Sequence, residues 1–355
     1  SDTRAPRGVR KGVRARSLMG GAIAARMVRA ELRRGSRTQM GPRALPRATE
    51  ATNNGHLVVL SHGIMGSPED LIYLRELLRQ RGLVTLAPSC NAYISSLYSI
   101  REQARRLAAE VEAFVRSSEV PLVDISVVGN SLGGLVARYA VALLYDDEGC
   151  IAGLRPRVFM TTATPHSGVG PSGYIGQFPG GVLDALGVGV LGRGSRSIRE
   201  LFLEDAEEGG AAVPLLVEMS REDTPLPFLP ALAAFERRGL YANAVNDFLV
   251  AFETSALASV AGVSRDYSGL PAPPQIVAAE ELPARPEGGT GAAPAVSGGD
   301  DGEGRRRPRG RRWMQERRMI EERLGALGWQ RFTVAFDSDI LPLPPPPNKK
   351  YALAR

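Results

Sequence analysis

The chain has 355 residues, 43% of them hydrophobic, enough to bury the core of one large α/β domain or two modest ones. No stretch approaches the roughly 18–20 uninterrupted apolar residues of a membrane-spanning helix, and with only Cys90 and Cys150 a disulfide-stapled scaffold is excluded. The net charge of +6 is unevenly spread: residues 1–50 carry thirteen Arg or Lys against Asp2, Glu31 and Glu50, a net of +10, so the rest of the chain sums to −4.

Residues 1–55 form an Arg-, Ala- and Gly-rich, acid-poor leader, the composition of an organelle transit peptide. Plastid or mitochondrion is the expected destination, with a disordered basic arm on a cytoplasmic protein as the alternative. The leader and the run Arg305-Arg306-Arg307 lack interleaved aromatics, so no nucleic-acid partner is expected.

Structured sequence is expected from His56. His56-Leu57-Val58-Val59-Leu60-Ser61 is an apolar run of the kind that forms a buried parallel strand, and it ends at His62-Gly63. Ser67-Pro68-Glu69-Asp70 opens a helix marked by Leu71, Leu74, Leu77 and Leu78. Leu83 to Leu86 reads as a second strand. From Ile100, the stripe Ala104, Leu107, Ala108, Val111, Phe114 and Val115 reads as an amphipathic helix. Val123 to Val128 is a strand, Leu135 to Leu144 a helix, and Arg157 to Thr162 a strand. This βαβαβ alternation predicts an α/β fold with a mostly parallel central sheet and helices on both faces.

Residues 168–195 turn Gly-rich around Tyr174, Phe178, Val182, Leu183 and Leu191, which predicts a cap insertion over about 168–230 in a domain spanning 56–263. A helix is expected around Ala231 to Arg238 and a strand over Leu240 to Ala244. Residues 264–310, dominated by Pro, Ala, Gly, Glu and Arg, are expected to be disordered. A final helix and strand follow within 311–341, then a Pro-rich tail, 342–355.

Val127-Val128-Gly129-Asn130-Ser131-Leu132-Gly133-Gly134 places G-x-S-x-G between a strand and a helix, the setting of a nucleophile elbow. Gly129, Gly133 and Gly134 would let strand and helix approach, and the Leu132 N–H would face a developing oxyanion. His62-Gly63-Ile64-Met65-Gly66 follows the first strand, where such a fold supplies its other oxyanion donor. Ile64 is the candidate N–H, with His62 and Gly63 as the supporting loop. In this architecture an acid and then a histidine follow the serine. Asp247, after a strand-like run, is the candidate acid, the alternative being a loop or N-cap aspartate. The base is harder to find, since the chain contains only His56, His62 and His166, and none follows Asp247. His166, in Thr164-Pro165-His166-Ser167-Gly168, is a substitute candidate, and bracing its turn is the competing role. No metal or cofactor is implied.

The segments HLVVLSHGIMGSPEDLIYL from His56, VVGNSLGGLVARYA from Val127, TATPHSG from Thr162 and GLYANAVNDFLVAFETSAL from Gly239 resemble the DUF676 family of serine esterases, lipase-like members of the α/β hydrolases, in particular its plant and algal members. The resemblance implies an α/β-hydrolase fold, Ser131 as nucleophile and Asp247 as acid, and hydrolysis of lipid or other apolar acyl esters through an acyl-serine intermediate. It implies a small-molecule ester or lipid partner, with peripheral contact at a membrane surface. Relatives commonly have His where this chain has Phe248, and continue past the last strand to a histidine where this chain is Pro-rich. A truncated or misread end is the expectation. The alternative is an inactive hydrolase-fold module that binds lipid or protein.

Overall fold

The apolar runs assemble into one seven-stranded sheet. β1 (His56–Ser61) pairs in parallel with β2 (Val84–Leu86) on one side and β3 (Asp124–Asn130) on the other. The sheet continues in parallel through β4 (Arg155–Thr162), β5 (Arg237–Asn243) and β7 (Trp329–Ala335), and closes with an antiparallel edge strand, β6 (Gln275–Leu282). The order is β2-β1-β3-β4-β5-β7-β6. The computed structural model describes residues 55–169, 195–206, 213–244, 247, 250–258, 275–284 and 309–335. Residues 1–54 of the leader, the Gly-rich part of the expected cap at 170–194 and the Pro-rich tail lie outside them.

Between the strands run α1 (Ile72–Arg79), α2 (Ile100–Ser117), α3 (Leu132–Leu144), α4 (Arg196–Leu201), α5 (Leu215–Glu218), α6 (Phe228–Ala233), α7 (Phe252–Ala256) and α8 (Arg309–Gly325). Strand alternation divides the core between the sheet's two faces. Leu57, Val59, Ile125 and Val127 join one cluster with the apolar stripe of α2, with α3 and with Ile320 and Leu324 of α8. Val58, Leu60 and Val128 join the other with Leu71 just before α1 and Leu74 and Leu78 within it, closed by Tyr241 stacked on Phe332 at 4.4 Å. Each buried Leu contributes about 2 kcal/mol, so these faces rather than the short helices hold the sheet. This is the mostly parallel α/β sheet expected from the alternation, in the α/β-hydrolase arrangement that the resemblance implies.

Two expectations are corrected. Part of the 264–310 stretch is ordered: Gln275–Leu282 forms β6, and α8 begins at Arg309. The short run Ile276-Val277-Ala278-Ala279 gains the hydrogen bonds of β7, while Arg331, 3% exposed, donates from its guanidinium to Glu280. Composition averaged over the Pro- and Gly-rich surroundings hides this run. The helix expected over Ala231 to Arg238 is instead α6 at Phe228–Ala233, and β5 already starts at Arg237. Pro230 is tolerated there because the first turn of a helix needs no N–H acceptor. The described part of the predicted cap, from Ser195 on, packs into the main core through Ile198, Leu201, Leu215 to Val217 and Phe228.

Candidate active site

The chain steps from β1 out to β2 on one side, then crosses back past β1 and runs on through β3, β4 and β5 on the other. In an open parallel sheet the crevice beyond the strand ends lies at this reversal, between β1 and β3. Both motifs from the sequence meet there. His62 to Gly66 leave the carboxyl end of β1, and Ser131 leaves the carboxyl end of β3.

Ser131 has φ +54° and ψ −126°, a conformation that costs a residue with a side chain about 1–3 kcal/mol. The surroundings impose it. The Ser131 N–H donates to Thr162 O at 2.8 Å, fixing the turn to the end of β4, and α3 starts at the next residue. A Cβ on Gly133 would lie 2.3 Å from His62 O, so the start of α3 touches the backbone of the His62 loop. A Cβ on Gly129 would lie 2.3 Å from Gly134 Cα, so β3 and α3 approach as closely. A Cβ on Gly63 would stand 3.0 Å from Ser131 Cβ, which places the loop directly beside the serine side chain.

The loop is itself a tight turn, with Gly66 N–H on Gly63 O at 3.0 Å and Met65 at φ +54°. Among the described residues no acceptor meets the Ile64 N–H. Leu132, first in α3, has no intrahelical acceptor for its own N–H. His62 is buried, its Nδ1 paired with Gly63 O at 3.0 Å, and burial holds its pKa below the usual histidine range.

Asp247 is on the loop that leaves β5 at the same sheet edge, four positions beyond Asn243, with Oδ1 accepting the Val250 N–H at 2.9 Å. Its neighbours Phe248 and Leu249 lie outside the described residues.

His166 occupies the interior instead. It is wholly buried, with Nε2 2.9 Å from Thr161 Oγ1, Nδ1 3.4 Å from Arg138 Nη1, and its ring edge-on to Trp329. A guanidinium can only donate, so Nδ1 is the acceptor and Nε2 carries the proton toward Thr161. Burial and then the charge of Arg138 push its pKa well below the ordinary value. The Arg138 guanidinium is itself fully buried and lowered by burial to about 9. A ring so engaged has no lone pair for a serine proton, and this corrects the expectation of His166 as substitute base: it braces its turn. His56 is at the opposite end of β1, with Nε2 2.8 Å from Ser126 Oγ.

The same turn holds residues that sequence reasoning missed. The Ser167 N–H donates to Thr254 Oγ1 at 3.0 Å and its hydroxyl to Glu321 Oε1 at 2.6 Å, joining the turn to α7 and α8. Glu321 also accepts from Arg317 at 2.7 Å. Only the i, i+4 spacing of Arg317 and Glu321 hinted at this. Among the described residues no group of His, Cys, Asp and Glu is arranged to hold a metal, and no helix is long and apolar enough to cross a membrane.

A mostly parallel sheet with a serine on a strained strand-to-helix turn at its switch point is the arrangement of the α/β-hydrolase fold. The chain belongs to the family described as "Putative serine esterase (DUF676)", whose profile matches residues 51–259, more than half of its length. A Schizosaccharomyces pombe protein named "Putative lipase C4A8.10" is 33% identical over 224 residues, 60% of this chain and 27% of that protein. A Saccharomyces cerevisiae protein named "Putative lipase ROG1" is 29% identical over 208 residues, 57% of this chain and 28% of that protein. The chain thus spans under a third of the length of these two relatives. A crystal structure of a Bacillus licheniformis lipase aligns with 57% of this chain and 70% of its own at 15% identity, with a TM-score of 0.34.

Proposed function

We propose that the chain is a serine hydrolase that cleaves carboxylic esters, with lipid or other apolar acyl esters as substrates. Ser131 Oγ attacks the ester carbonyl, the N–H groups of Ile64 and Leu132 stabilise the oxyanion, and the alcohol leaves as an acyl-serine forms, to be hydrolysed by water. Asp247 is the acid of the set. The observation that carries this reading is the strained turn of Ser131 against the Gly63 loop, because such strain persists where the fold over-determines it and clusters at functional sites. The names of the yeast relatives support the lipid class. The plant or algal affinity rests on the quoted motifs alone. The leader's composition supports delivery to a plastid or mitochondrion, which an import assay with residues 1–55 fused to a reporter tests.

A second reading is favoured by the histidines. His56 is at the far end of β1, His62 turns Nδ1 onto its own loop and His166 is engaged at both ring nitrogens in the interior, and among the described residues no histidine hydrogen-bonds the Ser131 hydroxyl. On that reading the crevice binds an ester or lipid without turning it over. A fluorophosphonate probe separates the two: labelling of the full chain that vanishes in Ser131→Ala supports the hydrolase, and no labelling beside retained lipid binding supports the binding module.

A further inference from the structure

The loop carrying Ile64 is held by a residue outside both motifs. Ser96 is 1% exposed, in the 3-10 turn Tyr93–Leu97 that follows β2. Its hydroxyl accepts the Met65 N–H at 2.7 Å and donates to Tyr93 O at 2.5 Å. Met65 and Tyr93 both have left-handed backbones, at φ +54° and +53°, and Tyr93 N–H in turn donates to Gly66 O at 2.8 Å. One hydroxyl thus bridges two strained residues, one of them directly after Ile64. Ser96 is held in its turn: its carbonyl accepts Gln103 Nε2 at 2.9 Å from α2 and Ser197 Oγ at 3.0 Å from α4.

We infer that Ser96 is a positioning residue for the oxyanion pocket, its hydroxyl fixing the Ile64–Met65 peptide and with it the turn at Ile64, so that the N–H of the adjoining Gly63–Ile64 peptide faces the oxygen of a substrate attacked by Ser131. The inference rests on the serine-hydrolase reading and extends it to a residue that touches neither substrate nor Ser131. Its physical content is preorganisation: an oxyanion donor acts only if it is already aimed when charge develops, and a donor on a turn whose next peptide is freed loses part of that advantage. Loss of one such donor slows acyl transfer by about a hundredfold or more, and a loosened donor by a part of that.

The test measures second-order labelling rates of the full 355-residue chain with a fluorophosphonate, beside the inhibition constant of a trifluoromethyl ketone and KM for a short p-nitrophenyl ester. Ser96→Ala is expected to label at least about tenfold more slowly and to bind the ketone more weakly by the same factor, with KM within about twofold. Ser96→Cys, which keeps the shape and offers a weak acceptor, is expected to fall between parent and Ser96→Ala. If Ser96→Ala does not fold, Ser96→Cys decides. A labelled parent with Ser96 variants labelling at the parental rate overturns the positioning role alone. A parent that fails to label at Ser131 overturns the hydrolase reading and this inference with it.

Discussion

Ser131 occupies a backbone conformation that glycine would adopt more cheaply. Removing that strain should release about 1–3 kcal/mol, and the greater freedom of glycine in the unfolded chain takes back about 0.5–1 kcal/mol. Ser131→Gly is therefore expected to raise stability by about 1 kcal/mol, while Ser131→Ala, still strained, stays within about 0.5 kcal/mol of the parent. Urea unfolding of the three proteins checks it, and a Ser131→Gly variant no more stable than Ser131→Ala would count against strain at the turn. Gly133 makes the opposite case. A methyl there meets His62 O at 2.3 Å and Ser61 O at 2.4 Å, both backbone atoms that cannot swing away. Gly133→Ala should cost about 3 kcal/mol or more and abolish fluorophosphonate labelling, measured by thermal unfolding and gel fluorescence.

Among elements, what the sequence made legible follows from what each one buries. β1, β3 and β4 are apolar runs buried on both faces, and α2 is one stripe, so local pattern and final environment agree. The G-x-S-x-G turn was legible because its glycines answer a backbone contact within a few residues. β6 was not, since its partner β7 lies some fifty residues on and its strand character depends on that pairing. Ser96 was hidden for a similar reason: nothing in Tyr93-Ile94-Ser95-Ser96-Leu97 marks a serine whose hydroxyl meets a residue thirty-one positions earlier. His166 looked available because its sequence neighbours are those of a loop, whereas Arg138 and Trp329 enclose it from elsewhere. β6 also carries a prediction. Glu280→Ala removes the carboxylate from the buried Arg331 guanidinium, leaving Ala256 O as an acceptor at 3.4 Å. With Glu280 itself 45% exposed, water replaces part of the loss, and a cost of about 1–3 kcal/mol in urea unfolding is expected. The adjacent exposed Glu281→Ala should stay within about 0.5 kcal/mol.

Across the whole molecule, buried ionisable groups give stability two opposing dependences on pH. His62 and His166 have folded-state pKa values lowered by burial, so their share of stability is present above the unfolded value of 6.5 and declines as pH falls below it. Glu200 works the other way. On α4, 7% exposed, its Oε2 accepts the Ile100 N–H at the start of α2 at 2.6 Å, and burial pushes its carboxyl up to about 7 from 4.5 despite that bond and nearby Arg101 and Arg196. Asp205 is also raised by its own burial and adds to the effect on Glu200. A raised carboxyl favours the fold while protonated, so this contribution is complete below pH 4.5 and is lost as pH rises through about 7. The shift corresponds to roughly 3 kcal/mol. Glu200→Gln keeps an oxygen for the Ile100 N–H and never charges. It should therefore gain about 2–3 kcal/mol over the parent at pH 8 and almost nothing at pH 4.5, read from urea midpoints at the two values. A loss at pH 8 would mean that the carboxylate is stabilised in place and that α2 depends on its charge as well as on its oxygen, and an equal gain at both would mean that the gain does not come from the charge.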